Sequence, residues 1–232
     1  MLREMQAPTV IEYPASDGQP MAETGVHVKA IIAIVSMLWA YFRRRSDIYI
    51  GGDMFWYYEE GNPQKRLAPD VFVAFGVTTA ERRSWLMWEE QKVPEVVFEI
   101  TSRGTRAEDL GSKKGLYEWL GVQEYFLFDP LDEYLRPRLQ GFRLLGGGYQ
   151  PITFGNSELS STLLGLTLYA EGDKLRFRDA RTGEPLPLPT EEANARQAEA
   201  EARAAAEARA VAAEEEVARL RAELARLRGQ DQ

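Results

Sequence analysis

The stretch 95–128 constrains the fold more than any other part of this 232-residue chain. Residues 95–101 gather Val96, Val97, Phe98 and Ile100, the composition of a strand buried on both faces. Residues 105–120 read as a helix that stops at Gly121. Residues 124–128 form a second short apolar run, closed by Asp129-Pro130. A helix crossing between two strands favours a parallel pair at that point. The expected class is therefore α/β, a mixed β-sheet flanked by helices.

The flanking segments fit this frame. Ile31, Ile34, Val35, Leu38 and Phe42 recur at helical spacing and predict an amphipathic helix over 26–45, with Arg43, Arg44 and Arg45 at its C-terminal end. From Asp47 the period changes to two. A strand or hairpin is expected over 48–58, a turn at 59–63, a second strand over 67–75 and a Trp-rich connection over 76–93. Together with 95–101 these give an antiparallel set of three strands. A hairpin arm over 139–149 and a strand pair within 159–180 complete the body.

Composition removes several chemistries. There is no cysteine and a single histidine, His27. Thiolate zinc sites, iron–sulfur clusters, cysteine nucleophiles and multi-histidine metal sites are excluded. The net charge of −8 argues against non-specific coating of nucleic acid, yet leaves room for a nuclease whose metal ion meets the phosphate locally. The longest apolar run, 28–42, is interrupted by Lys29 and Ser36, so no membrane span is expected and a cytoplasmic protein is.

The composition changes abruptly near Pro189. Residues 190–228 hold 15 alanines and almost no β-branched or aromatic residues. The expected organisation is a domain over 1–180, a Pro-rich linker over 181–190 and a helical tail over 191–228, with Thr190 as N-cap. Steps of three and four join Ala206, Ala210, Ala213, Val217, Leu220, Leu224 and Leu227 into a heptad seam, which fails upstream at Arg203 and Glu199. A coiled coil that makes a homo-oligomer competes here with a solvated, Ala-driven helix.

Three features carry chemistry. Asp70, after Pro69, interrupts the apolar run 67–73, and Glu99 interrupts 96–101. A buried carboxylate is costly and needs a partner. Asp109, Lys113 and Tyr117 follow at steps of four on the next helix, one stripe of its surface. Two carboxylates on neighbouring strands and a nearby cation suit a hard ion such as Mg2+ or Mn2+, which needs only one or two protein carboxylates plus substrate phosphate. That is sufficient apparatus for phosphodiester hydrolysis without histidine or cysteine.

The run 66–73 resembles the first motif of the Uma-type family of predicted restriction endonucleases, within the PD-(D/E)xK nuclease superfamily. Pro94, Glu99, Ser102, Asp109, Lys113, Tyr117, Gly121, Val122, Glu124, Tyr125, Asp129 and Pro130 resemble the rest of its signature, in order. The resemblance covers roughly 10–170 and leaves the tail outside. It implies a restriction-endonuclease-like fold and a metal-dependent endonuclease acting on DNA. It implies Asp70 and Glu99 as metal ligands together with the backbone carbonyl of Ile100. The superfamily's strand lysine is replaced by Thr101, and the resemblance implies that Lys113 substitutes for it from the helix. Glu23, just before the first helix, is a further candidate acid.

Plainer readings compete. Asp70 pairs with Arg66, or Glu99 forms a salt bridge with Lys113. Asp109, Lys113 and Tyr117 are surface pairings, and His27 is a partly exposed helix residue. Trp85 and Trp88 cap the core rather than stack on bases. Gly146, Gly147 and Gly148 make a hairpin turn rather than a phosphate loop. The basic clusters Arg43-Arg44-Arg45, Lys65-Arg66, Arg82-Arg83 and Arg103/Arg106 are solvated faces rather than contacts to a DNA backbone. An inactive nuclease-like domain, used for binding or assembly through the tail, is the main rival function. A carboxylate-pair glycosidase is a third, in which the helix lysine has no role.

Overall fold

A computed structural model describes residues 11–15, 25–153 and 158–228. In chain order its elements are α1 (Gly25–Phe42), β1 (Ile48–Gly52), β2 (Trp56–Tyr57), β3 (Arg66–Leu67), β4 (Val71–Phe75), β5 (Trp85–Leu86) and α2 (Met87–Glu90). There follow β6 (Val96–Ile100), α3 (Arg106–Leu110), α4 (Ser112–Leu120), β7 (Glu124–Phe128), β8 (Leu139–Leu145) and β9 (Gly148–Pro151). The last are β10 (Leu159–Ser161), β11 (Leu166–Glu171), β12 (Lys174–Asp179) and α5 (Pro189–Arg228). The chain separates into two units, Met1–Leu186 and Pro187–Gln232.

In the first unit a six-stranded sheet runs in the order β1-β4-β6-β7-β8-β9. Strand β4 runs antiparallel to both of its neighbours, β1 and β6, β6 and β7 are parallel, and β8 and β9 return antiparallel. The crossover between β6 and β7 is made by α3 and α4, as the sequence implies. Strands β6 and β7 are buried along their whole length, which accounts for their continuous apolar runs. Alternation sends Phe72, Ala74, Val97, Tyr125, Leu127 and Phe142 to one face, where they pack with Tyr117 of α4 and with Trp56 and Trp85. On the other face Phe98 stacks on Phe126 and meets Phe177 edge-on. Helix α1 packs on β1, β4, β6 and β12. Two three-stranded sheets, β3-β2-β5 and β10-β11-β12, complete the unit.

Several boundaries differ from the sequence reading. The strand expected over 67–75 is two strands, because Pro69 brings no N–H to a ladder. Asp70 fills the gap with its side chain, accepting the Ile100 N–H at 2.6 Å. The helix expected over 105–120 breaks at Gly111, whose φ of −119° and ψ of −94° lie outside the helical region. A Cβ there would meet the Ala107 carbonyl oxygen at 2.9 Å. The segment 48–58 is not a hairpin, since β1 and β2 lie in different sheets. Helix α1 ends at Phe42, three residues early, and Arg45 turns instead to Asp47. The Trp-rich connection contains β5 and α2, with Trp85 fully buried in the core. The hairpin of β8 and β9 turns through Gly146 and Gly147, both at positive φ.

Helix α1 also corrects the expectation of no candidate span. Its 18 residues, with mean hydropathy 1.6, have the length and composition of one. One face of it, with Ala30, Ile34, Val35, Met37 and Leu38, is buried in the first unit, while Val28, Ile32 and Trp39 are exposed.

The second unit is α5, 40 residues long. It starts with Pro189 in the first turn, a position that suits proline, so Thr190 lies inside the helix rather than capping it. The Glu191 carboxylate accepts the Leu188 N–H at 2.8 Å. Along it Glu192 pairs with Arg196 and Arg203 with Glu207, each four residues apart, and Arg219 approaches Glu216.

Two glycine substitutions of opposite sign check this packing. A Cβ at Gly51 would lie 2.4 Å from the ring of fully buried Phe72. Gly51→Ala is expected to lower stability by about 1–3 kcal/mol in urea denaturation. Gly115, exposed within α4 with open space around it, should gain about 0.5–1 kcal/mol as Gly115→Ala.

Candidate functional site

The site forms where β4 begins, β6 ends and α4 starts. Register places Val71 opposite Phe98, so Asp70 comes opposite Glu99. Glu99 shares the face of Val97 and is 1% exposed. Asp70 is also buried. The Thr101 N–H bonds the Phe128 carbonyl on the β7 side, whereas the Ile100 N–H points the other way, to Asp70. A strand residue sends its N–H and C=O to the same side, so the Ile100 carbonyl is directed to the Asp70 edge as well.

Helix α4 supplies the partners of Glu99. Lys113 Nζ donates to Oε2 at 2.9 Å and Tyr117 OH donates to Oε1 at 2.7 Å. Lys113 Nζ also lies 3.4 Å from Asp109 Oδ1, and Asp109 is fully buried. The break at Gly111 does not separate these groups. Asp109 on α3 and Lys113 on α4 still meet, and the Tyr125 hydroxyl ties α3 to the sheet through the Asp109 carbonyl. Lys114 points elsewhere, over the Phe142 ring.

Four plain readings are corrected or refined. Asp109 and Tyr117 are not surface pairings, since both are buried at the site. His27 is not partly exposed. It is buried on α1, with Nε2 3.2 Å from Asp70 Oδ1. Asp70 is reached by His27 and Ile100, while Arg66 lies against the Phe55 ring and donates to the Pro63 carbonyl. The Glu99–Lys113 salt bridge exists and belongs to the site itself. A lone histidine two residues into a helix gave no signal of its burial, which depends on how α1 docks. Glu23 lies outside the described residues.

The electrostatics show a surplus of negative charge. Burial pushes the Glu99 carboxyl up to about 8, Asp70 and Asp109 add to the rise, and the Lys113 ammonium opposes it. Burial also raises Asp109. For Lys113 burial acts downward, but the charges of Glu99 and Asp109 outweigh it and hold the ammonium above its ordinary range. Both partners therefore retain protons more strongly than in water. Asp70, Glu99 and Asp109 lie around one lysine, and burial together with like charge favours the protonated forms of Glu99 and Asp109.

Among the described residues no group of three or more His, Asp or Glu makes a ready cage for a metal. A magnesium ion does not require one. Each Glu99 oxygen accepts one hydrogen bond and keeps further acceptor capacity. Hard oxygen donors with surplus negative charge fit a hard divalent cation. By contrast, two other buried acids are saturated by fixed donors. Glu124 is held by Arg143 and Thr162, and Asp129 by the N–H groups of Leu131, Tyr134 and Leu135.

Comparison with known proteins gives three findings. The crystal structure of "a putative nuclease belonging to DUF820" from Anabaena variabilis ATCC 29413 is similar at 14% identity, with a TM-score of 0.46. That likeness covers 61% of this chain and 75% of the other. No protein of curated function matches. The family model "Uma2: Putative restriction endonuclease" matches residues 2–171. This chain belongs to the Uma2 family. The match takes in Asp70, Glu99, Lys113 and the sheet that carries them, and it leaves α5 outside.

The raised Glu99 carboxyl sets a pH dependence. Its folded-state value lies above its unfolded value, so the folded state binds the proton more tightly. The associated stability is present at low pH and is lost as pH rises through about 8. In chelator-treated protein at pH 9, Glu99→Gln is expected to raise Tm by about 2–4 °C in scanning calorimetry. At pH 6 the difference should shrink.

Proposed function

We propose that this chain is a metal-dependent endonuclease that hydrolyses DNA phosphodiester bonds at Asp70, Glu99 and Lys113. The observation that carries the reading is the Lys113 ammonium seated 2.9 Å from buried Glu99, with Asp70 on the facing strand position. Membership of a family whose description is "Putative restriction endonuclease" supports the reaction class. The Asp70 and Glu99 carboxylates and the Ile100 carbonyl would hold one Mg2+ or Mn2+. Such an ion, when bound, neutralises phosphate charge and makes its water more acidic.

The remaining roles belong to the chain. The negative neighbours that keep Lys113 protonated suit it to orienting the attacking water and stabilising the developing charge, rather than to acting as a base. Tyr117 fixes one Glu99 oxygen and leaves the carboxylate a single orientation. His27 and the Ile100 N–H hold Asp70 between them. Arg103, exposed on the loop that leaves β6, supplies a cation for the DNA backbone.

A second reading, a nuclease-like module used for binding or assembly, is favoured by one observation. Thr101, buried, fills the position of the superfamily's strand lysine. Incubation with supercoiled DNA and Mg2+ or Mn2+ separates the two. The first reading expects nicking or linearisation that falls about 100-fold or more in each of Asp70→Asn, Glu99→Gln and Lys113→Ala. Cleavage that survives all three would end the assignment. Absence of cleavage, with no manganese uptake in calorimetry of the folded chain, would favour the second.

A further inference from the structure

We propose that α5 pairs with α5 of a second copy of this chain as a parallel, in-register, two-stranded coiled coil over 206–227. The inference rests on α5 alone and stands whether or not the first unit cuts DNA.

The seam supplies the contact. Alternate steps of four and three place Ala206, Ala213 and Leu220 at heptad position d and Ala210 and Val217 at position a. In sequence Leu224 and Leu227 continue it as a and d. Val217 and Leu220 are 45% and 47% exposed, so the larger members of the stripe lie open on the helix surface. One heptad of the seam, Val217 at a with Leu220 at d, has the β-branched and leucine combination that favours two strands over three or four.

Charge selects the occupant and its polarity. Positions g hold Arg209, Glu216 and Glu223, and positions e hold Glu214 and Arg221. In a parallel pair each g residue faces the e residue five positions later on the other chain. Arg209 then meets Glu214 of the partner subunit, and Glu216 meets Arg221 of the partner subunit. Two-fold symmetry makes each pair twice, and all four are attractive. Reversing one helix so that Val217 packs on Leu220 of the partner subunit brings Glu216 beside Glu223 of the partner subunit, a like-charge pair, as well as Glu214 beside Arg221 of the partner subunit, so the reversed pair is half repulsive where the parallel pair is wholly attractive. Exposed ion pairs contribute little affinity each, about 0.2–1 kcal/mol, so their effect is to choose the partner and its direction. Another copy of the same helix satisfies the whole pattern.

Parallel polarity puts both Pro189 ends at the same end of the coil. From Pro189 to Ala206 is 17 residues, about 25 Å of helix. Two first units are thus tethered close in space, and each raises the local concentration of the other.

Absence of cysteine makes the test clean. In full-length Ala213→Cys, mild oxidation should link most of the chains covalently, because a d residue meets its own copy in a parallel, in-register pair. Ala208→Cys, at outward position f, should not link. Sedimentation of the unmodified chain should give twice 26.3 kDa, and Val217→Asp with Leu220→Asp should give a single chain. Glu214→Arg should weaken the dimer about tenfold, and adding Arg209→Glu should restore it. Helical circular dichroism confirms that each variant keeps α5. A single-chain mass at tens of micromolar, a trimer or larger assembly, or a dimer that the Ala213→Cys thiols fail to link would each overturn the proposal.

Discussion

A carboxylate inside a fully buried strand has to be answered by something, and here the answer comes from one helix. Glu99 sits within β6, cut off from water, and α4 brings the Lys113 ammonium and the Tyr117 hydroxyl to its two oxygens. Removing water from a charge is far more costly than any single hydrogen bond is favourable, so such a group persists only with several fixed partners. Even so, the neighbours Asp70 and Asp109 keep the site more negative than its lysine can cancel. The single ammonium thus leaves a deficit of positive charge among three acids. That deficit distinguishes Glu99 from Glu124, whose acceptors are filled by an arginine and by hydroxyl and amide donors.

The architecture around this pair consists of interruptions placed where a carboxylate is needed. Pro69 ends one strand, and Asp70 replaces the missing ladder contact with its own side chain. Gly111 breaks the crossover helix, and the resulting pair α3 and α4 sets Lys113 between Glu99 and Asp109. The aromatic layer of Trp56, Phe72, Tyr117 and Tyr125 packs against these pieces and limits how far they can shift.

Much of this was legible in the sequence because it rests on local signals. The crossover from β6 to β7 follows from two apolar runs with a helical segment between them, and the structure has that parallel pair. Asp70 and Glu99 stand out as acids in runs that otherwise read as buried. Lys113 is marked by its spacing from Asp109 and Tyr117. What the sequence hid depends on contacts distant along the chain. The break at Pro69 is masked by the apolar residues Leu67 and Ala68 before it and Val71, Phe72 and Val73 beyond Asp70. The burial of His27 is decided by α1 docking on the sheet 43 residues before Asp70. Asp109 looked like an exposed helix residue because its helical stripe was clear and the face it would turn to was not.

The central claim is that the carboxylates of Asp70 and Glu99 share one divalent cation beside Lys113. Anomalous diffraction from crystals of the full chain grown with Mn2+ tests it most directly. The account predicts one manganese peak within about 2.3 Å of an oxygen from each of Asp70 and Glu99 and of the Ile100 carbonyl. A manganese-saturated crystal with no peak there, and with Lys113 still closed on Glu99, would contradict it.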